Sequence, residues 1–260
     1  MGSSFNIGLV ILLASLGVQA APLDLGDRLE PFFDTYLIED AQNVSLVLGK
    51  PQPEGVVLSF DEPWEGVFSG YVTVLKDDDV FRMYYRGWNT DRPGHEVTCY
   101  AESTDGRSWK KPALGLHPYG DRRDTNIILA GMPAISSSFS PFIDRNPAAT
   151  PETRFKALGG ARGGLFALGS ADGIHWHLLR TKPVFTEGAF DSQNVPFWSE
   201  AEKCYVLYYR VWGEGFKEGY PHEGMRTIAR TTSKDFIQWT PPERMTFGDR
   251  PNEHLYTNQT

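Results

Sequence analysis

The heptapeptide STDGRSW at residues 103–109 returns as SADGIHW at residues 170–176, and a related stretch, TSKDFIQW, occupies residues 232–239. In each stretch a hydroxyl residue and an aspartate precede a tryptophan. Serine, threonine and aspartate side chains can accept hydrogen bonds from the backbone N–H groups of a turn, and a glycine there adopts a positive φ at no steric cost. The pattern therefore predicts three equivalent turns between strands, at nearly even intervals along the chain.

The repeat extends beyond the turns. VFRMYYRGW at residues 80–88 matches CYVLYYRVW at residues 204–212, and RFKALGG at residues 154–160 stands in the same place in the middle unit. We expect each closing tryptophan to fill the gap between neighbouring sheets, because its large apolar ring suits the space where two sheets meet at an angle. Units of four strands at such intervals are typical of β-propeller blades. The alternative is a chance recurrence within a β-sandwich.

Strand patterns dominate the rest of the chain. Short apolar runs rich in Val, Ile, Tyr and Phe are separated by Gly, Pro, Asp and Asn, and helical periodicity is nearly absent. We therefore predict an all-β fold, a β-propeller with blades at about residues 55–115, 124–182 and 188–245 and a fourth starting near residue 253. Such an array leaves two sheet edges exposed, so we expect the chain to belong to a longer protein with about two more blades.

The composition and charge of the chain disfavour some classes of binding partner. The 260-residue chain has a net charge of −8 and no run rich in Lys or Arg, which disfavours binding to nucleic acid or to anionic membranes. With 40% hydrophobic residues, the chain is long enough to bury a substantial core. Cys99 and Cys204 each lie within a strand-like run, which favours two buried free thiols over a disulfide.

Residues 1–20 have the features of a secretory signal peptide. Residues 7–18 are apolar but too few to span a membrane, and the VQA tripeptide at residues 18–20 resembles a cleavage site. The segment before the apolar run lacks Lys and Arg, so an uncleaved anchor is the alternative. We expect a mature protein of residues 21–260, secreted or periplasmic, without membrane contact after cleavage.

These stretches carry a family resemblance. STDGRSW, SADGIHW and above all SKDFIQW resemble the blade turn of the five-bladed propeller glycosidases of glycoside hydrolase families 32, 43 and 68. FFDTYLIED, PWEGVFSGYVTVLKDDDVFRMYYRG and GAFDSQN are similar to secreted bacterial proteins related to the family 32 N-terminal domain, over the chain from about residue 32 to its end. The resemblance implies a five-bladed propeller and a glycoside hydrolase that acts on poly- or oligosaccharide. The second family that these turns resemble is that of the sialidase-like propeller hydrolases.

The resemblance also implies a funnel at the propeller axis, lined by the starts of the innermost strands. Glycoside hydrolysis needs one carboxyl group to protonate the leaving oxygen and another to attack C1 or activate water, about 5–5.5 Å apart for retention and ~6.5–9.5 Å for inversion. The candidates are Glu65, Asp191 and Glu253, which we expect to occupy corresponding places in three units. For each, a solvated loop carboxylate or a structural turn is the alternative. The Asn-Asp-Pro-Asn and Glu-Cys motifs of family 32 are absent.

Other side chains at the funnel are expected to bind the sugar. These substrate-binding candidates are Tyr71, Arg86, Gln193, Asn194, His254 and Asn258. Arg86 is also placed to pair with a catalytic carboxylate. Asp144 resembles the second catalytic aspartate of the superfamily, but its position near the remote end of its inner strand makes it a reserve candidate. Asp34 is expected to hold an N-terminal strand in place.

The sequence predicts no cofactor and no catalytic metal. It does not decide whether a structural calcium ion binds or what the oligomeric state is. His175 and His177 share one face of a strand pattern without a third ligand nearby, and the chain shows no zinc spacing. The Gly-rich stretch at residues 159–164 opens no helix, and no GxSxG elbow indicates a serine hydrolase. From a different class, the alternative function is a noncatalytic carbohydrate-binding or interaction propeller, which does not need a close pair of carboxylates.

Overall fold

The computed structural model describes residues 23–26, 30–32, 34–90, 96–161, 163–213, 224–248 and 253–255. The expected signal peptide and Asn258 lie outside the described residues. The chain divides into two compact units, Met1–Pro53 and Glu54–Thr260. None of the described helices is long and apolar enough to cross a membrane.

The described residues of the first unit form no helix or strand. Asp34 Oδ1 accepts a hydrogen bond from the backbone N–H of Tyr36 at 2.9 Å, which closes a local turn. The expectation that Asp34 anchors an N-terminal strand is therefore wrong for the described part of this unit, because no strand is present there for it to hold.

The first sheet of the second unit is a meander of four antiparallel strands. These are β1 (Gly70–Asp77), β2 (Val80–Gly87), β3 (Val97–Ser103) and β4 (Ile127–Leu129). The Asp-rich turn between β1 and β2 forms a hairpin, with Asp77 paired to Val80. The first sheet thus extends past residue 124, where we had expected the second blade to begin.

The second sheet repeats the meander after a short helix, α1 (Pro133–Ser136). Its strands are β5 (Ser140–Ile143), β6 (Phe155–Ala161), β7 (Gly164–Ser170) and β8 (His177–Leu178), with a 3₁₀ helix at Pro151–Thr153 between β5 and β6. The Gly-rich stretch lies in the hairpin between β6 and β7, in agreement with the sequence interpretation.

The third sheet has the same order of strands. It contains β9 (Val195–Ser199), β10 (Cys204–Trp212), β11 (Arg226–Ser233) and β12 (Glu243–Arg244). The regular secondary structure of the described residues is therefore almost entirely β, with three four-stranded antiparallel sheets, as predicted. The first strand of each sheet contacts the first strand of the next, since β1 contacts β5 and β5 contacts β9.

The three turns share one pattern of hydrogen bonds. In the first, Ser103 Oγ accepts from the N–H of Gly106 at 2.9 Å, and Asp105 Oδ1 accepts from the N–H groups of Arg107 and Ser108 at 2.8 and 2.7 Å. The same contacts recur in the turns of Ser170 with Asp172 and of Ser233 with Asp235. Side-chain acceptors satisfy the turn N–H groups, so the motif specifies its own conformation.

Apolar clusters fill the space between neighbouring sheets. Between the first and second sheets, Trp176 packs edge-to-face against Tyr84 and Phe139, with ring centroids 6.2 and 4.9 Å apart. Trp239 lies against the cluster that joins the second and third sheets. Both side chains occupy the predicted gap between sheets. Trp109 instead packs on the outer face of the first sheet, in a cluster with Trp64.

Both cysteines are buried and free, as predicted. Cys99 is completely enclosed in the cluster on the outer face of the first sheet. Burial raises the pKa of its thiol well above the ordinary value, because the surroundings disfavour the thiolate.

Candidate functional site

The segments that lead into the innermost strands meet at one end of the sheets. Tyr71 Oη donates a hydrogen bond to the carbonyl oxygen of Asp191 at 3.1 Å, across 120 residues of sequence. Gln193 Nε2 donates to Thr73 Oγ1 at 2.7 Å, so two contacts join the starts of β1 and β9. Asn194 Nδ2 donates to Ser138 Oγ, before β5, at 3.2 Å. All three sheets therefore contribute to this junction.

Asp191 lies at the centre of the junction, four residues before β9. Its Oδ2 accepts a hydrogen bond from Arg210 Nη1 at 3.0 Å and one from the indole Nε1 of Trp212 at 3.4 Å. Both donors extend from the end of β10, and the Asp191 side chain is 12% exposed. An ion pair with an arginine and a second N–H donor fix the position of this carboxylate while leaving it in reach of solvent.

Two aromatic residues beside Asp191 have strained backbones. Tyr71 has φ of 51° at the bulge where the register of β1 shifts, and Phe190, the residue before Asp191, has φ of 52°. Phe190 is fully buried against Tyr209, with ring centroids 5.5 Å apart. Bulky residues rarely adopt this left-handed conformation, which costs about 1–3 kcal/mol and concentrates at binding and catalytic sites.

Arg86 forms the neighbouring part of the junction. Its guanidinium group stacks on Tyr71 and on Trp88, 4.6 and 5.1 Å from the two ring centroids. It donates hydrogen bonds to the carbonyl oxygen of Phe68 at 2.9 and 3.1 Å and to that of Ser137 at 3.4 Å. Burial lowers the pKa of Arg86, while Tyr71 and Glu96 act in the opposite direction.

Glu96 is a carboxylate near this site that the sequence interpretation missed. It directly precedes β3, whose residue Thr98 pairs with Arg86 in the ladder. Burial raises the pKa of Glu96, while the charge of Arg86 and a backbone hydrogen bond act in the opposite direction. The sequence signal for Glu96 is an acidic residue at the start of the third strand, whereas the predicted acids all precede innermost strands or follow one.

Glu65 lies in a different environment from Asp191. Its side chain is completely buried and contacts Tyr85 and Lys111, whose positions belong to the outer face of the first sheet. In the ladders, Thr73 and Val195 pair with the first tyrosine of the two YYR motifs. Asp191 lies four residues before Val195, whereas Glu65 lies eight before Thr73. The expectation that the two acids occupy corresponding places is therefore wrong.

Glu253 and His254 are exposed and lie beside the start of β11. His254 Nδ1 accepts a hydrogen bond from the backbone N–H of Arg226 at 3.3 Å. The guanidinium group of Arg226 lies over Trp212, 4.8 Å from the ring centroid. Since Trp212 donates to Asp191, this segment adjoins the junction at its outer side.

Asp144 lies at the other end of β5 from Ser138, directly after the strand. Its carboxylate forms a buried ion pair with Lys156 and accepts a hydrogen bond from Tyr205 Oη at 2.8 Å. Tyr205 belongs to the third sheet, so Asp144 links two sheets at the end remote from the junction. The sequence argument that placed it at the remote end of its strand agrees with this location.

The structure thus brings together five of the predicted residues: Tyr71, Arg86, Asp191, Gln193 and Asn194. It does not bring Glu65 or Asp144 to them. In the described residues no three His, Cys, Asp or Glu side chains are grouped so as to hold a metal ion. The junction combines a fixed carboxylate, amide groups, guanidinium groups and aromatic rings, the types of side chain that bind polar ligands with apolar faces.

No protein-family profile and no curated protein sequence matches the chain. Among solved structures, it is similar to a glycosyl hydrolase from Bacteroides ovatus, with a TM-score of 0.43 and 17% identity over 67% of this chain and 50% of the other. An N-acetylgalactosamine deacetylase from F. plautii, in complex with blood group B trisaccharide, gives a TM-score of 0.46 and 16% identity over 68% and 51%.

A third similar structure comes from the GH130 family of mannoside phosphorylases, which contains glycoside hydrolases that target β-1,2 mannosidic linkages in Candida mannan. Its TM-score is 0.41, with 16% identity over 66% of this chain and 49% of the other. The chain thus spans about half the length of the solved structures that it matches.

Proposed function

We propose that the chain is part of a secreted or periplasmic glycoside hydrolase-like protein, a five-bladed propeller related to families 32 and 43, in which Asp191 acts on a carbohydrate. The observation that carries the proposal is that three inner-strand starts meet beside one fixed carboxylate. Tyr71 and Arg210 hold Asp191 from two different sheets, and strained residues flank it. A folded chain keeps such strain where it positions a functional group.

Asp191 suits the part of nucleophile or general base. A carboxylate held by an ion pair approaches a bound sugar from one defined direction, which favours attack at C1 or on a water molecule. Tyr71 lies beside it with a hydroxyl group for sugar hydroxyls, whereas Gln193 and Asn194 are buried and hold the strand starts together around it. The indole of Trp212 and the guanidinium group of Arg86 complete the polar and aromatic lining.

The reaction also requires a proton donor. Glu96 is a candidate for this role because it lies beside Arg86 and because burial raises its pKa, which is the direction that a general acid requires. Glu253 is the second candidate, since its neighbour His254 contacts Arg226 on the far side of Trp212.

A noncatalytic carbohydrate-binding propeller is the second candidate function. One observation favours it: Glu65 and Asp144, two of the other predicted carboxylates, are bound in other parts of the sheets and lie away from Asp191. A binding protein needs the aromatic and amide groups but not a second acid.

One experiment distinguishes a glycoside hydrolase from a noncatalytic carbohydrate-binding protein. Reducing-sugar release and binding are measured on xylan, arabinan, mannan and pectin, with the wild type, Asp191→Asn and the control Asp79→Asn, which changes an exposed turn residue. A hydrolase predicts that Asp191→Asn loses activity by at least ~10²-fold while binding is kept, and that the control is unchanged. Binding without sugar release by the wild type favours the second function. Full activity of Asp191→Asn contradicts the catalytic assignment.

A further inference from the structure

Glu65 is the centre of a hydrogen-bonded loop, residues 62–69, that leads into β1. Its side chain has no exposed surface. Its Oε1 accepts from Tyr85 Oη at 2.5 Å, and its Oε2 accepts from Lys111 Nζ at 2.7 Å and from the backbone N–H of Glu62 at 2.9 Å. Every donor comes from the first sheet, from the loop itself or from the chain just after the first turn. A charged carboxylate persists in such surroundings only when it is fully paired.

The main chain of Glu65 fixes the same loop to the end of β2. Its carbonyl oxygen accepts from the N–H of Trp88 at 2.7 Å and from Ser69 Oγ at 2.6 Å. The next residue, Gly66, has φ of 63°, and a Cβ atom there would lie 2.6 Å from the Trp88 carbonyl oxygen. The loop therefore lies against β2 more closely than a residue with a side chain at this position would permit.

The loop ends at the candidate site. Phe68 is 52% exposed, its ring packs on Trp88 with centroids 5.2 Å apart, and its carbonyl oxygen accepts two hydrogen bonds from Arg86. Arg86 in turn stacks on Tyr71, which donates to Asp191. One continuous set of contacts thus runs from the buried Glu65 carboxylate to the Asp191 backbone.

Lys111 supplies the charge that makes this arrangement possible. It is nearly buried and also contacts Asp61 Oδ1 at 3.0 Å and the carbonyl oxygen of Ser59 at 2.7 Å. Burial works against its charge, but hydrogen bonds and charge from Glu65 and Asp61 outweigh it, so the pKa of Lys111 is raised. Both partners of the pair are therefore held in the same loop region.

We infer that Glu65 is a positioning residue and not a catalytic acid: with Lys111 it holds the loop of residues 62–69 rigid, and so fixes the edge of the site formed by Phe68, Trp88 and Arg86. No substrate atom can reach a fully buried carboxylate whose oxygens already accept three hydrogen bonds. The effect on ligand binding rests on the proposed function, whereas the effect on the loop does not.

Hydrogen–deuterium exchange tests the loop directly. We expect Glu65→Gln to speed exchange in residues 62–69 by ~10-fold or more, because it removes the buried anionic partner of Lys111 and leaves only the contact with the exposed Asp61, and to leave β6 and β10 unchanged. The double variant Glu65→Gln/Lys111→Met removes both charges, so its loop should exchange more slowly than that of Glu65→Gln alone. Glu54→Gln, at an exposed acid paired with Arg107, is the matched control and should not change the loop. Unchanged exchange in Glu65→Gln contradicts the inference.

Kinetic measurements distinguish a positioning role of Glu65 from a catalytic role and from a purely structural one. On whichever of xylan, arabinan, mannan or pectin the wild type hydrolyses, Glu65→Gln should raise KM several-fold and change kcat little, and the double variant should recover part of the loss. A fall in kcat of ~10²-fold with an unchanged loop indicates a catalytic acid and overturns the inference. Faster exchange in all three sheets with KM unchanged indicates a purely structural role and also overturns it. If the wild type neither binds nor hydrolyses these polysaccharides, the proposed function fails, and the exchange result alone decides the role of Glu65.

Discussion

At the scale of single residues, the three turns show which part of the structure a local motif determines. Gly106 and Gly173 have φ of 73° and 76°, and Phe236, in the equivalent place of the third turn, has φ of 67°. The Ser-x-Asp hydrogen bonds impose the same conformation on all three residues. Phe236 keeps it because its ring is fully buried between Phe142 and Tyr205, at 5.6 and 5.1 Å.

Replacing Phe236 with glycine sets two effects against each other. Relief of backbone strain favours the variant by about 1–2 kcal/mol, whereas deletion of a buried phenylalanine costs about 3–5 kcal/mol. We expect Phe236→Gly to lower the free energy of unfolding by about 1–4 kcal/mol, as measured by urea denaturation. A variant as stable as the wild type would show that the ring contributes little between the sheets.

Gly173→Ala is the companion change at the second turn. A Cβ atom there would lie 2.5 Å from Tyr84 Oη, and alanine would have to adopt a positive φ. Both effects act in the same direction, so we expect a loss of stability of about 1–3 kcal/mol. A gain in stability, measured in the same denaturation assay, would contradict the strained geometry of this turn.

The residue scale also shows what sequence reasoning cannot supply. The roles of Ser103 and Asp105 were predictable because their partners lie within three residues. The burial of Glu65 was not, since its partner Lys111 is 46 residues away and only the folded sheet brings them together.

At the scale of strands, a buried acid at the end of an inner strand recurs in two sheets. Asp77 ends β1 and pairs with Arg82 of its own sheet and with Arg154 just before β6. Asp144 follows β5 and pairs with Lys156 of its own sheet and with Tyr205 of the next. Each carboxylate thus joins a strand to the neighbouring sheet, at the end remote from Asp191.

The Asp144 contacts predict unequal effects of mutation. Lys156→Met leaves a buried carboxylate without its charge partner and should cost about 3–5 kcal/mol of stability. Tyr205→Phe removes one hydroxyl donor to that carboxylate and should cost about 1–3 kcal/mol. The double variant Asp144→Asn/Lys156→Met should be more stable than Lys156→Met alone. Equal losses in the two single variants, measured by urea denaturation, would argue against a buried charge pair.

Asp77 predicts a dependence of stability on pH. The Arg154 guanidinium group lowers the pKa of Asp77 below the ordinary value of 3.8, with Arg82 adding to the effect and burial opposing it. A carboxyl group whose pKa is lower in the folded state stabilises the fold above its ordinary pKa, and this contribution is lost as the pH falls through the folded value. Asp77→Asn should therefore flatten the fall of the melting temperature below about pH 4. An identical pH profile in the variant would contradict the pairing.

The limits of sequence reasoning at this scale are seen at β4. The three residues Ile127–Leu129 form an apolar run that can pair with the strand before it or begin the next unit. The sequence of this run does not determine which of the two pairings forms. That pairing depends on the ladder between Thr98 and Leu129. The hairpins, whose strands are adjacent in sequence, were predictable because the turn specifies the partner.

At the scale of the molecule, three sheets of the same order are joined by apolar clusters, and their inner strands begin at one junction. The repeat of turns and YYR strands was sufficient to predict the sheets and the gathering of Tyr71, Arg86, Asp191, Gln193 and Asn194. It did not reveal which residues before the strands are equivalent, because Asp191 lies four residues before its ladder position and Glu65 lies eight before the corresponding one. Glu65 and Asp191 consequently have different environments although both precede an inner strand.

The central claim is that segments from the first and third sheets meet around Asp191, and the contact between Gln193 and Thr73 tests it most directly. In the folded protein the Gln193 amide nitrogen lies 2.7 Å from Thr73 Oγ1. We therefore expect nuclear Overhauser effects between the Gln193 side-chain amide protons and the Thr73 methyl group in a selectively labelled sample. They should disappear in Thr73→Ser, which keeps the hydroxyl but lacks the methyl group. An assigned wild-type spectrum with no such effects would show that the two strand starts do not meet, and the site built on Asp191 would not exist.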